Sequence, residues 1–474
     1  MKKVVPLLLM VFAALAACAQ TGAHQSPLAI TNVNIIDVTS DATGSPVHAG
    51  MTVIIRGDRI VSIGKTAKTK IPADTKTLDA PGKFLIPGLW DMHVHTIFGD
   101  WIPGGKEVSL PLFVANGITG VRDMGGDLET LLRWRSEIAA GTLLGPRMII
   151  AGPMLDGPKS RFPSSVSLAT ADEGKAAVDD LKAKGVDFIK VQSFITRDAY
   201  FAVAAETKRL GITLVGHVPD SIRASEASDA GQKSIEHLTG IFEGAAPATV
   251  EDSFIQGATK TPKIYLDTYD DARASSLISR MARNHTWLVP TLVWERGQWL
   301  IDDIDYSHDS DLPYAPASWQ QKSWPTFTKS ILAELDTDDV AIRRKFVQKE
   351  FAIVGAMHKA GVEIMAGTDT AAAVAVLPGF SLHTELECLV QAGFTPMEAL
   401  QAATLNPAKF LGLQNQMGTV QPGNLANLVL LDANPLDDIR NTRKIDAVVL
   451  NGRLLNRADL DQILKQVAVF AGSH

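Results

Sequence analysis

The stretch FLIPGLWDMHVH, residues 84–95, decides the fold. An apolar run ends in His93 and His95, two residues apart, with Asp91 in the same alternate set. On a strand that spacing puts all three side chains on one face. Four further patches share this build. DFIKVQ (187–192) carries Lys190, TLVGHV (213–218) His217, SIEHL (234–238) His237 and EIMAGTD (363–369) Asp369. Each puts a ligand-type side chain at the end of a short apolar run, where a parallel barrel presents side chains to its active face. GITGVRDMG (117–125), RMIIAGPML (147–155) and WLVPTLV (287–293) bring the candidate strands to eight.

Helical stretches at 170–184, 196–210 and 338–360 separate several of these runs. Strand and helix in alternation are the mark of a parallel sheet. Thr196 followed by Asp198, and Thr395 before Pro396, read as helix starts. Eight strands fit an α/β fold of the (β/α)8 type better than an open sheet. No glycine-rich phosphate loop follows the first strand, so a nucleotide-binding fold has no support.

Working outward, both ends of the chain are β-rich. LAITNVNIIDV and MTVIIRGDRIVSIG precede the barrel segment, with Gly57-Asp58 as a hairpin turn. ANLVLLDANP and AVVLNGRLL follow it, with Asn451-Gly452 as the turn. The expected organisation is a barrel over 83–418 and one small composite β-sandwich from 26–82 and 419–474. Two connections are longer than the fold requires, 241–285 and 294–337. The second contains Trp294, Trp299, Trp319 and Trp324. It reads equally as a lid over the active face and as a helical insertion packed on its own aromatics.

The 474 residues suit one large barrel with a satellite, and 46% hydrophobic residues provide a sizeable core. A net charge of −7 argues against a nucleic-acid partner. Lys2 and Lys3 precede an apolar run, Val4 to Ala14, that is too short to span a bilayer. Leu15-Ala16-Ala17-Cys18 then matches the bacterial lipobox in pattern. The expectation is a signal peptide over 1–18, lipidation of Cys18 and attachment in the cell envelope. By resemblance, Ala19 after the cysteine favours the outer membrane. With Cys18 lipidated, Cys388 has no disulfide partner in a chain of two cysteines. In the apolar stretch LECLV it reads as a core thiol.

The order and wording of these patches resemble the amidohydrolase superfamily, in particular its imidazolonepropionase-like and prolidase-like members. The run PG-L-x-D-x-H-x-H opens the first barrel strand throughout that superfamily. The resemblance extends from the first β-strands to GTVQPGNLANLVLLDANPLDDI. It implies a binuclear centre. Lys190, unable as an ammonium to bind a cation, would react with carbon dioxide to give a bridging carbamate. His93, His95 and Asp369 would hold one divalent ion, His217 and His237 the other. Zinc suits imidazole and carboxylate ligands. Paired cations lower the pKa of a shared water toward about 7. Asp369 would take its proton and deliver it to the leaving nitrogen. Asp91 would orient an imidazole from behind.

The resemblance is poor for substrate. Many relatives cleave the amide before a C-terminal amino acid, which requires a cation for the carboxylate. Arg161, Arg296 and Arg223 are the candidates, each with a solvated surface charge as the simpler alternative. His383, in HTELE, is either a substrate contact or a helix-start residue. No tyrosine is assigned as oxyanion donor. The leading expectation is an amide hydrolase of dipeptides or N-acyl amino acids. Hydrolysis of cyclic C–N bonds comes next, and a non-catalytic binding protein last. A homo-oligomer stays open.

Overall fold

The computed structural model describes residues 26–40, 45–97, 104–162, 165–335 and 339–474. The leader and Cys18 lie outside the described residues. Among the described residues no helix is long and apolar enough to cross a membrane.

Strands one (Leu89–Val94), two (Ile118–Asp123) and three (Arg147–Ile150) pair in parallel. Strands four (Phe188–Val191), five (Thr213–Gly216), six (Ser234–Glu236) and seven (Trp287–Val289) form a second parallel set. The short strand Leu155–Asp156 extends it at the strand-four edge. Two links join the sets. Asp187 N–H donates to Ile150 O at 2.9 Å, and Ile150 N–H donates to the Asp187 carboxylate at 2.9 Å. On the other side, run 363–370 bridges strand seven at Leu288–Ile364 and strand one at Val94–Thr370. Met92 N–H donates to Ala366 O, and Leu288 N–H to Glu363 O. The eight runs therefore follow one another in the order the sequence predicts. The eighth is held by isolated bridges, and its backbone turns at Asp369, whose φ is +57°.

The helices fall close to expectation, at Ala171–Ala183, Arg197–Leu210 and Val340–Lys359. Thr196 and Thr395 cap their helices through their hydroxyls, the second with a reciprocal bond to Glu398. Such caps satisfy backbone N–H groups that a first helical turn leaves unpaired. Cys388 is fully buried, and burial pushes its thiol up to about 12, as a core thiol requires.

Both chain ends meet in one eight-stranded sheet. Its path runs Arg453–Asn456, Ile445–Leu450, Leu428–Leu431, Phe84–Pro87, Leu28–Ile36, Val47–Arg56, Arg59–Lys65, with Lys76–Asp79 beside Leu28–Ile36. The hairpins fall at Gly57-Asp58 and Asn451-Gly452. Asn451 and Gly452 both take positive φ, as a two-residue hairpin of matching twist demands. The strand Phe84–Pro87 belongs to this sheet and runs directly into strand one, so the sheet anchors the chain just before His93.

Candidate metal centre

Four imidazoles and one carboxylate meet at the ends of strands one, five, six and run eight. Ring centroids lie 5.6 Å apart for His93 and His95, 4.8 Å for His93 and His237, and 5.0 Å for His217 and His237. Asp369 Oδ1 lies 3.4 Å from His93 Nε2 and 3.2 Å from His95 Nε2, while its Oδ2 lies 3.8 Å from His237 Nε2. Alternation along a strand would turn His237 away from Glu236. A φ of +59° at His237 breaks the alternation and brings its ring round, as +57° does for Asp369. Non-glycine residues at such angles are uncommon and concentrate where function demands the geometry.

Each ring is fixed through its other nitrogen. His93 Nδ1 meets Glu236 Oε2 at 3.0 Å, and His95 Nδ1 meets Gly125 O at 2.8 Å. His217 Nδ1 meets Ser193 Oγ at 2.9 Å, and His237 Nδ1 meets Thr291 Oγ1 at 2.6 Å. The Nε2 atoms of His93, His95 and His237 are left facing Asp369. Metal-binding histidines are oriented this way. Burial holds the His93 and His217 rings well below the ordinary histidine range, and the nearby Lys190 charge adds to it. Burial lowers His237 to about 4 against the pull of Asp369. A neutral imidazole keeps the lone pair that a metal needs.

Lys190 is 1% exposed, beside these rings. Burial brings its amine down to about 8, although Glu236 and Asp369 attract the ammonium. Two buried atoms, His93 Nε2 and Asp369 Oδ1, have no hydrogen-bond partner. Buried polar atoms are normally satisfied. One ligand atom from each of His93, His237 and Asp369 falls within 4.8 Å of the others. Orphaned acceptors, neutral rings and a carboxylate form a donor set that fits a divalent cation.

Some expectations need correction. Asp91 orients no ring: its carboxylate accepts from the backbone N–H of His93 and Thr368 and from the Thr368 hydroxyl, tying strand one to run eight. Burial raises it to about 7. The residue behind His93 is Glu236, which the sequence reading passed over. Arg122 donates to both Glu236 oxygens at 2.8 and 2.7 Å, to Met92 O at 2.6 Å and to Ser234 Oγ at 3.0 Å. Both members of this pair are fully buried. Strand six, Ser234–Glu236, is buried throughout, so its local pattern did not single out Glu236.

His383 is no substrate contact. It sits in the first turn of helix Phe380–Gln391, the helix-start position the sequence offered as the alternative, fully buried, with Nδ1 on the Thr442 hydroxyl at 3.0 Å and Nε2 on Asn116 O at 3.2 Å. Its role is to staple that helix to two distant segments. Arg223 is also committed elsewhere, bonded to Asp252 and 3.7 Å from Glu251. Arg296 is half-buried on helix Leu292–Trp299. Arg161 is exposed, its guanidinium over the Phe194 ring at 5.6 Å. The tryptophans of the long connection divide. Trp319 is buried against Val108, Leu112 and Val467, while Trp294 packs on His237 with centroids 4.9 Å apart.

Comparison with known proteins agrees with this geometry. Ochratoxinase from Aspergillus niger is 23% identical, covering 87% of this chain and 86% of that protein. Imidazolonepropionase from Shouchella clausii is also 23% identical, over 86% of this chain and 87% of its own. The crystal structure of a putative prolidase from Bifidobacterium longum superposes with a TM-score of 0.67 at 24% identity. It covers 94% of this chain and 99% of that one. That likeness carries the fold, a TIM barrel with a second domain built from both chain ends. The Amidohydrolase family model matches residues 84–455, from the strand that enters the barrel to the closing hairpin, so the chain belongs to the amidohydrolase family, hydrolases of carbon–nitrogen bonds.

Proposed function

We propose that the protein hydrolyses the amide bond of dipeptides or N-acyl amino acids that end in a free carboxylate, at a centre for two divalent ions. Zinc is the first choice for this ligand set. The observation that carries the reading is the convergence of neutral rings on the unpartnered Asp369 Oδ1 and His93 Nε2. His93, His95 and Asp369 would hold one ion and His217 and His237 the other, with carbamylated Lys190 between. Bound there, two cations supply an activated water and polarise the scissile carbonyl.

The chain's own residues do the rest. Lys190 is shielded from solvent, and its lowered pKa supplies the free amine. That amine attacks carbon dioxide, forms a C–N bond and releases a proton, leaving an anionic carbamate where a cation stood. Glu236, neutralised by Arg122, keeps the His93 ring oriented without adding net charge beneath the centre. Asp369 reaches three of the rings. It would take a proton at a carboxylate oxygen and return it to the leaving nitrogen. Arg161, on a loop after strand three and over Phe194, is the cation we assign to the substrate carboxylate.

The test is metal content and hydrolysis of N-acyl amino acids, on protein purified with bicarbonate. About two equivalents per chain are expected, falling to about one in Lys190→Ala with loss of hydrolysis. Unchanged hydrolysis in that variant would sink the bridging role. Equal rates on N-acyl amino acids and their carboxamides would remove the carboxylate requirement. We also propose lipid attachment at Cys18 and an envelope location; a Cys18→Ser variant should leave the membrane fraction, and its retention there refutes the anchor.

A further inference from the structure

Besides the two metal-facing atoms, His93 Nε2 and Asp369 Oδ1, one more buried polar atom beside the centre has no partner, on the helix that follows strand seven. Trp294 lies on that helix, Leu292–Trp299, with its ring tilted 41° to the His237 ring. Its indole Nε1–H is shielded from solvent and has no hydrogen-bond partner. Trp299, on the same helix, donates to Glu295 at 3.1 Å and to Glu350 at 3.0 Å. A buried tryptophan N–H ordinarily finds an acceptor, so the orphan at Trp294 stands out against its own helix.

The backbone beneath Trp294 is held at both neighbours that matter. Val293 N–H donates to the buried Glu385 carboxylate at 2.7 Å, and Thr291 bonds His237. Around the ring, Val293, Ala373 and Val376 are buried and Phe327 is partly buried, in one apolar cluster with Trp294. Ala373 and Val376 follow Asp369 on its own loop, which the Thr370 hydroxyl ties to Val376 O at 2.8 Å. Phe327 arrives from the long connection, on helix Trp324–Glu334. Three separate segments thus bring apolar surface to the edge of the metal ligands, with one unspent donor among them.

We infer that Trp294 is a specificity-determining residue: its N–H donates to an oxygen of the substrate beside the scissile bond, and its ring forms, with Val293, Phe327, Ala373 and Val376, the wall of an apolar subsite. The substrate class is then N-acyl or peptidyl derivatives of aromatic and branched amino acids. A charged side chain placed there would lose its water without gaining a partner. This rests on the amide-hydrolase reading above.

The test uses the full chain with its metal and a hydrolysis-resistant probe, N-(methylphosphonyl)-L-phenylalanine, whose phosphonyl oxygens replace the attacked carbonyl. Trp294→Phe keeps a ring and deletes the N–H. It should bind the probe about tenfold more weakly by calorimetry, the cost of one lost hydrogen bond, with metal content unchanged. Trp294→Ala should also lose the preference for the phenylalanyl probe over its aspartyl counterpart. Wild-type affinity in Trp294→Phe overturns the proposal. So does a loss of metal that accounts for the whole loss of binding, because the ring would then only prop His237. Failure of the wild type to bind the probe overturns it as well. Probe binding without hydrolysis of any N-acyl amino acid would instead refute the amide-hydrolase reading and leave Trp294 in place.

Discussion

The two sheets of this molecule bury their side chains in opposite ways. The sheet made from the chain ends encloses Leu28, Ile30, Val33, Ile55, Leu428, Leu430 and Val449, an apolar cluster with no charge in it. The barrel encloses Arg122, Glu236, Ser234, Asp91 and His93, each at most 1% exposed. An apolar interior needs only volume and fit. A polar interior needs every donor matched to an acceptor, since an unpaired buried charge is costly. The barrel meets that demand with Arg122, whose guanidinium serves Glu236, Ser234 and Met92 O at once. Among the described residues, two fully shielded atoms of the centre are left without a hydrogen-bond partner, His93 Nε2 and Asp369 Oδ1, 3.4 Å apart. The contrast separates groups that hold the site from groups that await a ligand.

The largest effect should come from breaking the polar side. Arg122→Met leaves Glu236 buried without its cation, and removal of one partner of a buried ion pair costs about 3–5 kcal/mol. It also frees the carboxylate that orients His93, so metal affinity should drop about 10- to 100-fold. Chemical unfolding and elemental analysis would read the two effects together. A stability loss under about 1 kcal/mol would mean that the pair is dispensable. A smaller effect, of a different kind, belongs to the apolar side. Leu430→Ala should cost about 2–4 kcal/mol through the cavity it leaves. Turnover per folded molecule should stay at the wild-type value, because Leu430 faces no ligand. A fall in turnover would show that the end sheet sets the position of strand one beyond anchoring it.

The same contrast explains what the sequence made legible. His93, His95, Lys190, His217, His237 and Asp369 could be read because ligand-type residues at the ends of apolar runs have few structural explanations. Glu236 and Arg122 could not. Arg122 in GVRDMG resembles any charged residue on a half-exposed strand, and its partner is 114 positions away. His383 misled for the converse reason: its HTELE setting suggested chemistry, while its partners are Asn116, 267 positions before it, and Thr442, in the C-terminal stretch after the barrel segment. Arg223 was open to a substrate role only because Asp252 is on a later helix. Local patterns encode which face a residue occupies; they do not encode which distant group it meets there. The eighth strand was legible as an apolar run, yet neither its isolated bridges nor the left-handed turn at Asp369 is announced by any propensity.

Two helices of the barrel segment, Leu292–Trp299 and Val340–Lys359, show a third way of burying charge, and it gives the smallest of the expected effects. Glu295 and Glu350 are both buried, and the Trp299 N–H reaches each of them. Burial pushes Glu295 up to about 8 and Glu350 well above its ordinary range, the two acids repelling and sharing a hydrogen bond. Among the described residues no cation pairs with them as Arg122 does with Glu236; burial instead favours the protonated acids. The sign follows from linkage. Below the ordinary carboxyl value of 4.5, folded and unfolded chains both carry the proton on Glu295, and its burial costs nothing extra. As pH rises toward about 8 the unfolded chain releases that proton and the folded chain keeps it, so stability falls; above that value the full penalty persists. Glu295→Gln retains the shape and an acceptor for Trp299 but has no proton to lose. It should match the wild type near pH 4 and exceed it at pH 9 by at least about 1 kcal/mol, less than one pKa unit's worth. Unfolding curves that stay parallel across that range would mean that Glu295 is ionised in the folded protein, and that this region is saturated in the manner of the barrel after all.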